Sequence, residues 1–259
     1  MSFPNVIYRD YGREKETSSA KIGNLPLGQL MILPDGRKFR HSQAGSATAL
    51  EAGAVVGASA SVDGHGGISG SGLTASATAT NNAVGDTSVV LLTKSVAVTK
   101  DQYAGGLLNV VGPAGSTYIG QTYKIKSNLS AAVSAKLTLT LEPHDGLKVA
   151  FAAVSTVCSL SKGAYAEAIV QDTAPIGPII GATPVAVSAS HYFWAQRTGP
   201  VSLQQAVTVC TAGEGVMVGL EAGSVTLAIA ASVIAGNYVG QAMEQAAASQ
   251  AILVNLQLE

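Results

Sequence analysis

Four histidines and two cysteines are the side chains of this 259-residue chain best suited to metal binding or nucleophilic chemistry, and their spacing keeps them apart. A metal site needs several N, S or O donors converging on one point. His41, His65, His144 and His191 are scattered, and no HExxH, CxxC or repeated-aspartate calcium loop draws them together. Asp63 with His65, and His144 with Asp145, are close pairs in turn-like sequence, and without further ligands each reads as turn chemistry. His41 has no serine, cysteine or carboxylate beside it in a base-like pattern, and no GxSxG elbow is present. Gly64 to Gly70, GHGGISG, has the glycines of a phosphate-cradling loop but neither the lysine that follows them nor a GxGxxG spacing. Cys158 and Cys210 lie in apolar runs, VSTVCSL and AVTVCTA, and read as buried thiols, one disulfide being the alternative. These residues predict no catalytic centre, no metal and no cofactor.

The elements that would position any site are strands. From Gln102 to Glu142 three runs, LLNVV, YIGQTYKIKS and KLTLTLE, are divided by Gly- and Ser-rich turns and are rich in β-branched and aromatic residues. In Lys136 to Glu142 the leucines share one face and the threonines the other, the pattern of a half-buried antiparallel strand. The three runs predict a meander. Upstream, Pro34-Asp35-Gly36 separates an apolar run from the alternating Lys38 to Ser42, which predicts a hairpin. Residues 45–85 are mostly Ala, Gly, Ser, Thr and Val, too glycine-rich for a helix interior, and predict a loop or short strands. Val239 to Ser249 mixes helix-favouring Ala, Met, Glu and Gln with preceding glycine turns, so one or two helical turns compete with a loop. Ala251 to Glu259 reads as a closing strand.

The fold expected is all-β, with short antiparallel strands in sandwich or barrel-like modules, an extended N-terminal arm and at most short helices. Pro4 and Pro26 bound the arm, residues 1–26, whose apolar anchors include Phe3, Ile7, Tyr8 and Tyr11. A β-rich body follows over 27–184 and a C-terminal β module over 185–259, divided after residues 163–184, where Pro175, Pro178 and Pro184 forbid a continuous helix and predict a loop or an irregular strand set. Tyr192, Phe193, the single Trp194 and Arg197 concentrate aromatic surface at the start of that module, which predicts anchoring of the fold or of a subunit interface, with carbohydrate stacking the lesser reading.

Composition narrows the partners. The chain is 47% hydrophobic and only 12% charged, with a formal net charge of -1. No basic stripe marks a nucleic-acid face, and no run of about 20 apolar residues marks a membrane helix. The N-terminus lacks the apolar core of a secretion signal, so synthesis in the cytoplasm is expected. So little charge fits a surface covered by neighbouring subunits.

Three blocks in order, Gly28 to Arg40 (GQLMILPDGRKFR), the stretch from QYAGG at Gln102 to GQTYKIK at Gly120, and His191 to Pro200 (HYFWAQRTGP), resemble virion structural proteins of tailed bacteriophages. The likeness is to capsid decoration or cement subunits in particular. It implies a non-enzymatic β-rich adaptor on the outer capsid surface, made in the host cytoplasm. The implied partners are the major capsid protein and further copies of the chain, a trimer being favoured. A tail- or fibre-associated adhesin that binds a host glycan is the alternative.

Overall fold

The computed structural model describes residues 6–59, 65, 73–75, 82–93, 95–112, 119–152, 156–172, 177–206, 209–219, 221–228 and 238–259. The chain forms β1 (Val6–Tyr8), β2 (Leu30–Ile32), β3 (Lys38–Gln43) and β4 (Val55–Ala58). Next come β5 (Leu73–Ala75), β6 (Ser88–Leu92), β7 (Leu107–Gly112), β8 (Thr122–Asn128), β9 (Lys136–Leu141) and β10 (Val157–Ser161). The last strands are β11 (Ala168–Val170), β12 (Ile179–Ala182), β13 (Tyr192–Gln204), β14 (Gly215–Val218), β15 (Val225–Leu227), β16 (Tyr238–Ala242) and β17 (Ala251–Gln257). The only helical elements among the described residues are two single 3-10 turns, Arg13–Lys15 and Ile22–Asn24.

The strands sort into two compact units, one nested inside the other in sequence: residues 1–60 with 164–259, and residues 61–163. This division differs from the expected boundaries. The irregular strands expected before residue 185 include β11 and β12, which pair with β4, and the Pro178 carbonyl accepts the Ala58 N–H at 2.9 Å. Proline can carry such a role because it keeps its carbonyl while losing its N–H.

The inserted unit is a closed barrel in the order β10-β5-β6-β9-β8-β7. The expected meander is β7-β8-β9, paired antiparallel in sequence order. Leu137, Leu139 and Leu141 point inward while Lys136 and Thr140 face solvent, and Tyr123 and Ile125 join the leucines from β8. Within YIGQTYKIKS, Tyr118 lies outside the described residues and the strand runs from Thr122, because Ile119-Gly120 forms a turn with Gly120 at φ 85°.

The outer unit is an open eleven-stranded sheet with the path β1-β2-β3-β13-β17-β16-β14-β15, to which β12, β4 and β11 attach beside β13. The Pro34-Asp35-Gly36 turn joins β2 to β3 as expected, with Met31 opposite Phe39. Asp35 Oδ1 accepts the Arg37 N–H at 3.1 Å and Gly36 takes φ 83°, the two local reasons for the reversal. Val239 to Ala242 is strand rather than helix or loop. Val239 and Ala242 are buried in one core cluster with Ile252, Val254 and Leu256 of the neighbouring β17, and Gly240 lies so close to the Asn255 carbonyl that a Cβ would collide with it. Tertiary packing overrides the local helix preference there.

Candidate interaction surface

β13 is the longest strand and the one against which the outer unit assembles. Its first half pairs with β3, Trp194 opposite His41, and its second half pairs with β17, Val201 opposite Val254. Alternation along the strand sends Phe193 into the core with Val56, Ile180 and Ala195, and Trp194 into a second cluster with Leu25, Met31, Leu33 and Phe39. Phe193 and Trp194 are 1% and 2% exposed, so neither forms an outer surface. The aromatic cluster anchors the fold.

The N-terminal segment does not reach away from its own unit. Ile7 and Ile22 pack against the Trp194 cluster, β1 pairs in parallel with β2, and Ser18 exchanges backbone hydrogen bonds with Tyr192 at 2.7 and 3.0 Å. Glu14 is buried, accepts the Gly12 N–H at 2.6 Å and lies 3.7 Å from the Arg37 guanidinium. Over residues 6–26 the expected extended arm is thus packed on its own unit, because its apolar residues have a hydrophobic face of the same chain to cover. Tyr8 and Tyr11 remain outside, 76% and 60% exposed. Phe3 lies outside the described residues.

Arg197 is mostly withdrawn from solvent. Its Nη1 donates to the Ile179 carbonyl at 3.0 Å and its Nη2 to the Leu258 carbonyl at 2.7 Å, while Nε stands 3.5 Å from Glu259 Oε1, an ion-pair distance without hydrogen-bond geometry. Arg40 Nε donates to the same carboxylate at 2.8 Å, and Arg40 Nη1 to the Gly28 carbonyl at 3.0 Å. Two guanidiniums therefore hold the end of the chain against β3 and β12. Planar forks suit this role, since each can serve a carboxylate and a carbonyl at once.

His41 sits at the centre of this region, fully buried between Tyr192 and Trp194, with ring centroids 5.6 and 5.2 Å away. Its Nδ1 lies 3.2 Å from the Pro26 carbonyl, which can only accept, so the neutral ring carries its proton on Nδ1. Nε2 has no hydrogen-bond partner. Burial pushes the pKa down from 6.5, more than the Pro26 and Leu25 carbonyls raise it, and nearby Lys21 lowers it further. His65 is satisfied inside the barrel unit, with Nε2 donating to the Val96 carbonyl at 3.1 Å and Nδ1 accepting from the Tyr103 hydroxyl at 2.5 Å. Its sequence neighbour Asp63, and the glycines around it, lie outside the described residues.

His144 is exposed in the turn after β9, and His191 contacts the Ala189 carbonyl at 3.1 Å. Cys158 and Cys210 are buried and not joined in a disulfide, one in each unit, and burial drives the Cys158 thiol up to about 12 and the Cys210 thiol upward. Among the described residues no three His, Cys, Asp or Glu side chains gather as metal ligands. What the molecule offers a partner is exposed apolar surface: Tyr8 and Tyr11, then Val209 and Met243 on the outer unit, and Val84, Leu129 and Val133 on the barrel unit. The sequence pointed to Tyr8 and Tyr11 and gave no sign of the others, since an exposed valine looks like a core valine until its strand is placed.

The class these units define is all-β, mostly antiparallel, with a closed six-stranded barrel. No family model matches the chain, and no curated protein or solved structure matches it either.

Proposed function

We propose that this chain is a non-enzymatic structural protein of a tailed-bacteriophage virion, bound to the outer capsid at subunit junctions, where it stabilises the shell. The observation that carries the reading is the surface. A chain with only 12% charged residues leaves Tyr8, Tyr11, Leu129 and Val133 more than half exposed, and such apolar area is suited to coverage by neighbours. The three blocks on which the resemblance rests fit the same role, since they form the β2–β3 hairpin, part of the barrel and the first half of β13. They are scaffold, and a cement protein acts by scaffold. Many weak contacts repeated over a symmetric shell become strong together, because each docked contact raises the effective concentration of the next.

The glycan-binding alternative placed its sugar on the aromatic cluster, and Trp194 at 2% exposure offers no face for stacking. The decisive experiment compares heat-triggered genome release from complete particles and from particles lacking this protein. Earlier release from the depleted particles is expected. Equal release temperatures would remove the cementing role, and cryo-electron microscopy that places the chain only on the tail would move it from the shell.

A further inference from the structure

Between Glu14 and Leu25 no residue is buried, yet this stretch helps to enclose His41, which is fully buried. Several links fasten Lys15 to Pro26 onto the sheet. Ser18 and Tyr192 exchange backbone hydrogen bonds at 2.7 and 3.0 Å, Ile22 and Leu25 pack on the Trp194 cluster, and the Pro26 carbonyl lies 3.2 Å from His41 Nδ1. Bonds such as those from the Asn24 N–H to the Lys21 carbonyl and from the Leu25 N–H to the Ile22 carbonyl are local turns that tie the segment to itself. A segment with few buried contacts opens more readily than the strands beneath it.

His41 is the weak point of that attachment. The ring stands between Tyr192 and Trp194, and its neutral form has Nδ1–H on the Pro26 carbonyl and Nε2 without a partner. Protonation adds a second N–H and a full charge at Nε2, and a buried charged donor without an acceptor is unfavourable. The charged groups around it bring no relief. Lys21, on the covering segment, is a like charge. Arg37 lies over the Phe39 ring and beside Glu14, the buried carboxylate of this region, which also accepts the Gly12 N–H. Lys38 and Arg40, at alternate positions of β3, face away from the ring, and Arg40 holds Glu259. β2 brings no ionisable side chain, and β13 brings Tyr192 and, further along, Arg197, which clamps the Ile179 and Leu258 carbonyls. Burial holds the His41 pKa below 6.5 against the pull of the Pro26 and Leu25 carbonyls, and Lys21 lowers it further.

We infer that Lys15 to Pro26 is an acid-released strap: protonation of His41 at Nε2 frees this segment from the sheet and uncovers the apolar side chains of Met31, Leu33, Phe39 and Trp194, while β3, β13 and β17 stay paired. In the freed state the ring reaches water, and Nε2 finds its acceptor there. That state therefore binds the proton more tightly than the closed one. Release is favoured as pH falls below about 6.5, by up to about tenfold per pH unit until the closed-state pKa is passed. The strap is a property of the isolated chain and does not rest on the shell role.

The experiment is hydrogen exchange of the full-length chain, followed amide by amide by NMR from about pH 7.5 to about pH 5, each rate being divided by that of the same amide in an unstructured peptide at the same pH. Protection of the Ser18 and Tyr192 amides is expected to fall below about pH 6.5, by up to about tenfold per unit, in step with the titration of the His41 ring read from its own resonances. It should also lie at least about tenfold below that of the β17 amides at every pH, because the strap opens without the sheet. His41→Gln, neutral throughout this range, should remove the fall, and His191→Gln, next to Tyr192, should leave it. Strap protection that does not change with pH, a His41 ring that titrates at or above about 6.5, or a fall that persists in His41→Gln overturns the switch. Equal protection of the strap and β17 amides overturns it too, because both would then open in one step. If His41→Gln does not fold, the wild-type strap amides compared with the His41 titration and with β17 decide.

Discussion

The two units solve the problem of burying strands in opposite ways. The inserted unit closes its six strands on themselves and fills the interior with a mainly apolar cluster from Leu73 to Leu160, leaving no strand edge to cover. Its strands follow one another within about a hundred residues of chain, and its longest meander is local. The outer unit keeps an open sheet, divides its core into three clusters and ties distant segments with polar links such as Arg40 to Glu259. Closure makes a unit self-sufficient; an open sheet leaves ends, and ends either need covering or serve as contacts. The basic residues follow the same division, since the barrel unit has seven lysines, five acids and no arginine while all five arginines belong to the outer unit. Of these, Arg40 and Arg197 hold a carboxylate and carbonyls from different segments together.

The largest effect on this contrast should come from Trp194→Ala. Removing the side chain that joins Leu25, Met31 and Phe39 is expected to cost about 3–5 kcal/mol. Hydrogen exchange should show lost protection in β1, β2 and β3 while the barrel strands keep theirs; loss spread evenly over both units would mean that they unfold together. Leu139→Ala is the converse test, with about 2–5 kcal/mol lost from the barrel. Chemical denaturation followed by exchange in β6, β8 and β9 would locate it.

Arg197→Met should cost about 1.5–3 kcal/mol, because the carbonyls of Ile179 and Leu258 lose charged donors. Limited proteolysis should then release the end of the chain first. Acid should act on the outer unit through His41. Its folded pKa lies below the ordinary 6.5, so the unfolded state binds the proton more readily. The stability tied to the neutral ring is complete above 6.5 and falls as pH drops from there toward the folded value. Unfolding midpoints measured against pH should show that slope in wild type and lose it in His41→Phe. The smallest effect is expected at the hairpin, where Gly36→Ala places a side chain at φ 83° for about 1–2 kcal/mol, read as a lower melting temperature.

Much of the barrel was legible because its signals are local. The alternating leucines of β9, the Tyr123/Ile125 face of β8 and the glycine turns each speak within a few residues, and a sheet built from neighbours in sequence preserves such signals. The hairpin at Pro34-Asp35-Gly36 was readable for the same reason. Of the expected contact residues, Tyr8 and Tyr11 are exposed, Phe193 and Trp194 are core, and Arg197 clamps the chain's own strands. An aromatic run states how much surface it has to bury and not which surface buries it.

By itself the sequence determined the all-β class, the meander, the hairpin and the scarcity of charge, because alternation, turn chemistry and composition act over short distances or none. Only the tertiary structure decided that residues 61–163 form a nested unit, that the N-terminal segment lines its own sheet, and that Val239 to Ala242 is strand. Each of those outcomes depends on pairing between segments far apart in the chain. The free energy of such pairing comes from burial and hydrogen bonds that no local stretch contains.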